Sequence, residues 1–153
     1  NYLLKDDQPR HPEYPTAVLS EFGISHEVRV ASAHRAPKYL EDVVASAIDD
    51  GCKIFIGIAG MAAALPGVVA AMTTLPVIGV PVGGKVPLDS LLSIVQMPPG
   101  MPVATVGVDR GDNAAVLAIQ MLAMNDAELA ANFSEWRNLR TARVIADDES
   151  LRE

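Results

Sequence analysis

Four consecutive residues, Ser32-Ala33-His34-Arg35, bring a hydroxyl, an imidazole and a guanidinium together. An imidazole changes protonation near neutral pH, so it is suited to general acid and base catalysis. A guanidinium forms paired hydrogen bonds to phosphate oxygens. The segment therefore predicts a site that binds an anion and moves a proton. Taken alone, the same residue types also fit the exposed, capped start of a helix.

The elements around this segment favour the site. Residues 28–33 read as an apolar β-strand, and Pro37 begins a run with the apolar spacing of a helix. In open parallel sheets, ligands bind outside the carboxyl ends of the strands. His34 and Arg35 are therefore predicted to lie at that edge, with Arg35 beside a helix N-terminus that favours phosphate.

A second candidate follows another buried strand. Ala59-Gly60-Met61-Ala62-Ala63 has mostly small side chains, so its backbone amides and carbonyls could face a flat heterocycle. Tight helix packing is the alternative interpretation. Gly83-Gly84-Lys85 lacks the spacing of a phosphate-binding loop, so it predicts a turn with a solvated lysine. Residues 109–113 predict a turn followed by a helix, with Asp112 or Asn113 as the helix cap. The charged side chains within this segment are expected to pair with each other.

Composition limits the classes of protein that fit. The chain has 153 residues, of which 50% are hydrophobic and 20% charged, so we expect one globular domain over residues 1–153. A formal charge of -7 provides no general field for nucleic acid or an anionic membrane. One cysteine and three scattered histidines predict neither an internal disulfide nor a metal site. No apolar stretch is long enough for a membrane helix, and we expect a cytoplasmic protein.

Strands and helices alternate along the chain, which predicts a parallel sheet covered by helices. The expected strands are 1–4, 24–31, 53–58, 76–82 and 103–108, and the expected helices are 14–22, 37–47, a small-residue helix ending at 72, 88–96, 112–124 and a last one from 126.

The last helix, in residues 126–153, bears on assembly. Leu129, Phe133 and Trp136 recur at helical spacing among many charges. The helix could pack on its own domain. It could also extend to a neighbouring subunit, with Trp136 as the anchor.

Several separated blocks carry a specific resemblance. Ser32 to Pro37, Ala59 to Gly67, Leu75 to Val82 and Leu88 to Pro98 occur in the order and form typical of the PurE family of purine biosynthesis, which this chain resembles from Phe22 to Met124. The resemblance implies a three-layer α/β sandwich with a flavodoxin-like parallel sheet and, here, an extra C-terminal helix. It also implies a homo-octamer with active sites between subunits.

The resemblance further implies a mutase. Its substrate would be N5-carboxyaminoimidazole ribonucleotide, whose carboxyl group moves from the exocyclic nitrogen to ring C4 without metal or other cofactor. His34 would be the general acid and base, Arg35 and Ser32 would bind the 5'-phosphate, and Asp7 the ribose. Ala59, Gly60, Met61 and Ala62 would face the imidazole and CO2, and the loop at 83–87 would form a lid.

This chain also departs from the family pattern. Leu3-Leu4-Lys5-Asp6-Asp7 stands where the family has Gly-Ser-x-Ser-Asp, so Asp7 alone is retained. Ala64 stands where mutases often have a histidine. Arg35 and Leu65-Pro66-Gly67 favour the mutase, whereas Ala64 favours a carboxylase that uses free CO2. The residues also fit a non-catalytic nucleotide-binding subunit, or a carboxylase that acts on a pyridinium nucleotide.

Overall fold

A computed structural model of the protein describes residues 2–5, 14–86 and 88–152. The chain forms two compact units, Asn1–Val116 and Leu117–Glu153. In chain order the elements are β1 Tyr2–Lys5, α1 Tyr14–Glu21, β2 Glu27–Val30, α2 Pro37–Asp49, β3 Phe55–Ala59, α3 Leu65–Met72, β4 Val77–Pro81, α4 Asp89–Val95, β5 Ala104–Thr105, α5 Gly111–Ala123 and α6 Ala127–Ser150.

The first unit is built on a parallel sheet with strand order β2-β1-β3-β4-β5. Helices cover both of its sides, as in flavodoxin-like folds. Each connection passes through a helix, as parallel strands require. The predicted α/β class and parallel sheet are confirmed.

Two glycines in the central strands let helices approach the sheet closely. β3 and β4 are buried at every position, and their register places Gly57 opposite Gly79. A Cβ at Gly57 would lie 3.0 Å from Pro66 Cγ, and one at Gly79 would lie 2.4 Å from Ile94 Cγ2. Glycine inside a strand commonly marks such contact. Pro66 belongs to α3 and Ile94 to α4, so both helices pack directly on the strands that lead to the candidate site.

Helix α2 forms because its sequence is amphipathic. Leu40, Val43, Val44 and Ala47 follow the helical repeat and are all buried. Pro37 occupies the first turn, where its missing N–H has no intrahelical partner to lose. This packing fixes the start of α2 directly after the Ser32–Arg35 segment.

Several predicted boundaries are wrong. β2 covers Glu27–Val30 because residues after Ala31 form a turn, and β5 covers only Ala104–Thr105. Beyond β5, Val106 N still donates to Gly79 O at 3.1 Å, but Arg110 N then donates to Gly107 O at 3.1 Å and closes a turn. α5 begins at Gly111, so Asp112 and Asn113 lie inside its first turn rather than at its cap.

The second unit contains the long helix α6. Asp126 caps it by accepting a hydrogen bond from Leu129 N at 3.0 Å. Leu129 and Phe133 are its buried residues. The Phe133 and Trp136 rings stack with centroids 5.7 Å apart, and the Arg140 guanidinium lies over the Trp136 ring. The predicted C-terminal helix is confirmed.

Across the described ranges, no helix combines the length and the apolar character that crossing a membrane would need.

Candidate active site

Loops that follow neighbouring strands meet at the carboxyl edge of the sheet. These are residues 31–36 after β2, 60–64 after β3, 82–86 after β4 and 106–110 after β5. Because the strands are parallel, their carboxyl ends lie along one edge. This edge is where ligands bind in folds of this class, and it contains most of the residues predicted from sequence.

Ser32 holds the backbone and side chain of Arg35. Its hydroxyl accepts hydrogen bonds from Arg35 N at 3.3 Å and from Arg35 Nε at 3.2 Å. Ala36 N donates to Ser32 O at 3.0 Å and completes the turn. Ser32 does not cap α2. The N-cap residue of α2 is Ala36, and no side-chain hydrogen bond caps the helix there. The hydroxyl therefore orients the guanidinium beside the start of α2.

His34 lies in the same turn, one position before Arg35. Both side chains are exposed, so a ligand can reach them. The first N–H groups of the 13-residue helix α2 follow immediately and carry a partial positive charge. An anionic group bound here would meet the guanidinium and these amides, with an imidazole beside it.

The loop after β3 is a tight turn with unusual backbone angles. Ala63 N donates to Gly60 O at 2.9 Å. Met61 and Ala63 have φ of 52° and 23°, which side-chain-bearing residues rarely adopt. Such angles cost about 1–3 kcal/mol each and cluster at functional sites. Ala59 and Gly60 are buried, Ala62 is exposed and the Met61 side chain is 57% exposed.

A shared core joins these two loops. Ala33 packs against the buried cluster that contains Ala31, Ala59 and Ala63. Ala31 N also donates to Lys5 O at 2.9 Å, which extends the contact to the end of β1. The structure thus brings Ser32, His34 and Arg35 to the same edge as Ala59 to Ala62. Asp7 lies outside the described residues.

Two nearby cations are engaged within β2 and α2. A hydrogen bond from Arg29 to the Tyr39 hydroxyl, followed by one to Glu27, raises the pKa of the guanidinium. Hydrogen bonds to Glu41 and then Asp42 raise the pKa of Lys38. Both shifts stabilise the charged form beside carboxylate or hydroxyl oxygens. These hydrogen bonds and ion pairs lie within and between β2 and α2.

Asp109 and Ser90 form hydrogen bonds that the sequence did not predict. Arg110 pairs with Asp112 as predicted, but Asp109 instead accepts a hydrogen bond from Gly83 N at 2.9 Å. The buried Ser90 hydroxyl donates to Val82 O at 2.8 Å. The two bonds span 26 and eight residues, beyond the range of a helix or turn pattern, so no local pattern indicates them. The left-handed Asp109, with φ of 59°, is visible only in three dimensions.

One cavity among the described residues lies away from this edge. It measures about 960 Å³ and is lined at the amino end of β4 by Leu75, Pro76 and Val77, with Ile48 and Met101 among the other lining residues. None of the residues predicted to form the site lines it. Among the described residues there is also no cluster of three or more His, Cys, Asp or Glu side chains placed to hold a metal.

Comparison with protein families gives a match over most of the chain. Residues 7–143 match the model of the family described as AIR carboxylase.

Curated relatives are similar over almost the same span. The chain is 55% identical over 137 residues to N5-carboxyaminoimidazole ribonucleotide mutase of Methanocaldococcus jannaschii, covering 89% of this chain and 85% of that protein. It is 48% identical over 137 residues to the protein of the same name from Mycobacterium tuberculosis, covering 88% and 79%.

A solved structure shares the fold. The crystal structure of Treponema denticola PurE superposes with a TM-score of 0.87 over 99% of this chain and 98% of that one, at 24% identity. At that identity the likeness supports the flavodoxin-like architecture alone.

Proposed function

The chain belongs to the AIR carboxylase family, and we propose that it is an N5-carboxyaminoimidazole ribonucleotide mutase. The reaction moves a carboxyl group from the exocyclic nitrogen of the aminoimidazole to ring C4, within purine biosynthesis. One structural observation carries the assignment of roles: Ser32 orients Arg35 one residue from His34, at the edge where ligands bind. The named relatives, up to 55% identical, supply the reaction.

The reaction requires one proton to change place. When the N–CO2 bond breaks, the nitrogen needs a proton; after C4 attacks CO2, the ring carbon must lose one. His34 is the proposed donor for the first step and acceptor for the second. A single imidazole can serve both because it returns to its starting form at the end of the cycle. General acid and base catalysis of this kind contributes roughly 10²–10⁴-fold.

Arg35 is the proposed phosphate ligand. A guanidinium and the N-terminal amides of α2 both favour a phosphate at this position. The Ser32 hydroxyl contributes by fixing Nε of Arg35 at 3.2 Å, so the guanidinium plane is oriented before substrate arrives. Asp7 remains the proposed ribose ligand.

The turn at 59–63 is the proposed wall of the imidazole and CO2 site. Its backbone polar groups, the methyl side chains of Ala59 and Ala62, and the absence of a Cβ at Gly60 would leave room for a planar ring. The exposed Met61 side chain adds an apolar surface that can exclude water once the site closes. Keeping released CO2 beside C4 is a proximity effect. The exposed residues 83–86 are the proposed lid, in a loop whose Pro87 lies outside the described residues.

One residue supports a second candidate. Ala64 occupies the position where mutases often have a histidine, and it is the half-buried N-cap of α3 without a side-chain hydrogen bond. A carboxylase acting on free CO2 and aminoimidazole ribonucleotide is therefore the alternative. It would use the same His34 and Arg35.

Assembly and location are proposed on the family resemblance. A cytoplasmic homo-octamer is proposed, with residues 126–153 as a helical extension at a subunit interface. Support comes from α6, where Leu139, Val144 and Ile145 are more than half exposed in the single chain. Exposed apolar side chains of this kind are typical of interfaces.

Isotope transfer tests the reaction. The purified protein is incubated with N5-carboxyaminoimidazole ribonucleotide in buffer containing ¹³C-bicarbonate, and the 4-carboxy product is analysed by mass spectrometry. A mutase gives product with an unlabelled carboxyl group. A matched reaction starts from aminoimidazole ribonucleotide and ¹³C-bicarbonate, and the mutase turns this mixture over far more slowly.

Two further outcomes identify a different function. Rapid formation of labelled product from aminoimidazole ribonucleotide would show the carboxylase. A folded protein that binds the ribonucleotide without forming either product would show a non-catalytic nucleotide-binding subunit.

A further inference from the structure

We infer that Asp109 is a positioning residue that fixes the substrate-facing turn at 59–63 through Val82, an inference that rests on the proposed mutase function. Asp109 lies after β5, in a loop that has no part in the proposed proton transfer or phosphate binding. Its contacts join the loop after β5 to the end of β4 and the loop that follows, and Val82 links these to the loop after β3.

Asp109 binds the chain on both sides of Val82. Its backbone N donates to Pro81 O at 2.8 Å, and its Oδ1 accepts from Gly83 N at 2.9 Å. A carboxylate acceptor makes a stronger hydrogen bond to an amide than a neutral oxygen does. The segment that leaves β4 is thereby held against the end of β5.

Val82 transfers this constraint to the turn. Val82 N donates to Ala59 O at 2.9 Å, and Val82 O accepts from the Ser90 hydroxyl, which is 2% exposed. A Cβ at Gly60 would lie 3.5 Å from Val82 Cβ, which is ordinary van der Waals contact. Movement of Val82 would therefore displace both Ala59 and Gly60.

The backbone angles of the 59–63 turn indicate why it needs these supporting contacts. Met61 and Ala63 are left-handed, with φ of 52° and 23°. Strained conformations persist only where the surrounding structure determines them. Ser90 and Asp109 both form hydrogen bonds to residues 81–83, and Val82 in that segment bonds to Ala59 at the start of the strained turn.

The residue types at positions 109 and 83 suit this positioning role. Asp109 has φ of 59°, a conformation that aspartate and asparagine adopt more readily than most residues. A Cβ at Gly83 would lie 2.8 Å from Asp109 Oδ2, so any side chain there would displace the carboxylate. Adjacent Gly84 has nothing within 4 Å of the corresponding position.

Four variants test the inference. Asp109→Gly keeps the left-handed backbone and removes the acceptor, whereas Asp109→Asn keeps both. Gly83→Ala displaces the carboxylate. Gly107→Ala is its control, because a Cβ there would meet the Arg110 side chain and not the Asp109 carboxylate. The measurements are kcat and KM with N5-carboxyaminoimidazole ribonucleotide, melting temperature, and hydrogen exchange of residues 82–86 without substrate.

We expect Asp109→Gly and Gly83→Ala to lower kcat by about 10-fold to 100-fold, since misplacement by 1 Å costs about 100-fold. KM changes little, because the Arg35 contact is unaltered. Exchange of residues 82–86 becomes faster in both variants. Asp109→Asn and Gly107→Ala retain wild-type kcat and exchange. In the Asp109→Gly background, Gly83→Ala causes no further loss.

Each contrary result is distinguishable. Wild-type kcat in Asp109→Gly, or unchanged exchange of residues 82–86, overturns the inference while leaving the mutase function intact. A lower melting temperature with unchanged kcat of the folded protein shows a structural role alone and also overturns it. A wild-type protein without turnover overturns the proposed function, and the positioning role of Asp109 with it.

Discussion

His34 is exposed in a turn, and this exposure limits how well it could transfer a proton between substrate atoms without help from other residues. An exposed imidazole exchanges its proton with solvent, so a proton moved between two substrate atoms must be protected while it is transferred. The turn at 59–63 and residues 83–86 lie at the same edge and provide surfaces that could close over it. The proposed catalysis by His34 would therefore require closure of the site as well as the imidazole.

Substituting His34→Asn should abolish turnover without affecting the fold. Asparagine keeps a polar group of similar reach but cannot carry a proton at neutral pH. We expect kcat to fall by roughly 10²–10⁴-fold, with unchanged melting temperature and ribonucleotide binding measured by calorimetry.

His26→Asn is the matched control for this variant. His26 Nδ1 contacts Ile24 O at 2.8 Å before the start of β2, at the opposite edge of the sheet. Its turnover should equal that of the wild type. If His34→Asn kept a rate within tenfold of His26→Asn, the role given to His34 would be wrong.

At the scale of the elements, glycines in the central strands set how closely α3 and α4 pack on the sheet. That packing positions the site loops that precede these two helices. The space above Gly57 and Gly79 is filled by Pro66 and Ile94, so each helix lies directly on the sheet. α3 begins immediately after the 60–64 loop, and α4 immediately after the proposed lid. The depth of helix packing thus determines where the site loops lie.

Gly79→Ala should destabilise the first unit. Its Cβ would lie 2.4 Å from Cγ2 of the fully buried Ile94 and 3.0 Å from Cγ1 of the partly buried Val103. Overpacking of this kind costs about 1–3 kcal/mol. The free energy of unfolding in urea measures it.

Gly67→Ala provides the contrast. Its Cβ would meet Met97 Sδ at 3.0 Å, near the end of a flexible side chain. Alanine also favours the helix by about 1 kcal/mol over glycine, so we expect little net change. Equal destabilisation by the two substitutions would contradict the packing explanation.

At the scale of the whole molecule, the main feature of α6 is the number of large apolar side chains that it exposes to solvent. The helix is long, with Leu129 and Phe133 buried near its start and Leu139, Val144, Ile145 and the following Leu151 exposed. The Phe133, Trp136 and Arg140 stack stiffens one side of its first half. These features fit the proposed subunit interface.

The double variant Leu139→Glu, Val144→Glu should reduce the mass of the assembly measured by light scattering. Both side chains are more than 60% exposed in the single chain, so charge there disturbs association rather than folding. Helical content by circular dichroism should stay unchanged. Thr141→Glu, on the same exposed segment, is the control and should assemble as the wild type does. An unaltered mass for the double variant would place the interface elsewhere.

The sequence alone predicted the α/β class and the alternation of elements, which the structure confirms, and it supplied the central residues of the proposed site. Buried strands such as Phe55–Ala59 and the spacing of Leu40, Val43 and Val44 are local patterns, and local periodicity follows directly from backbone geometry. Ser32, His34 and Arg35 were identifiable because they are adjacent in the chain and follow a strand.

The tertiary structure decided what depends on distant contacts. It shortened β5, gave Ser32 the role of orienting Arg35, and revealed the bonds from Asp109 to Gly83 and from Ser90 to Val82. It also placed left-handed angles at Met61, Ala63 and Asp109. None of these is encoded by composition or periodicity, because a strained turn and a hydrogen bond between loops are stable only when the packed sheet holds their partners together.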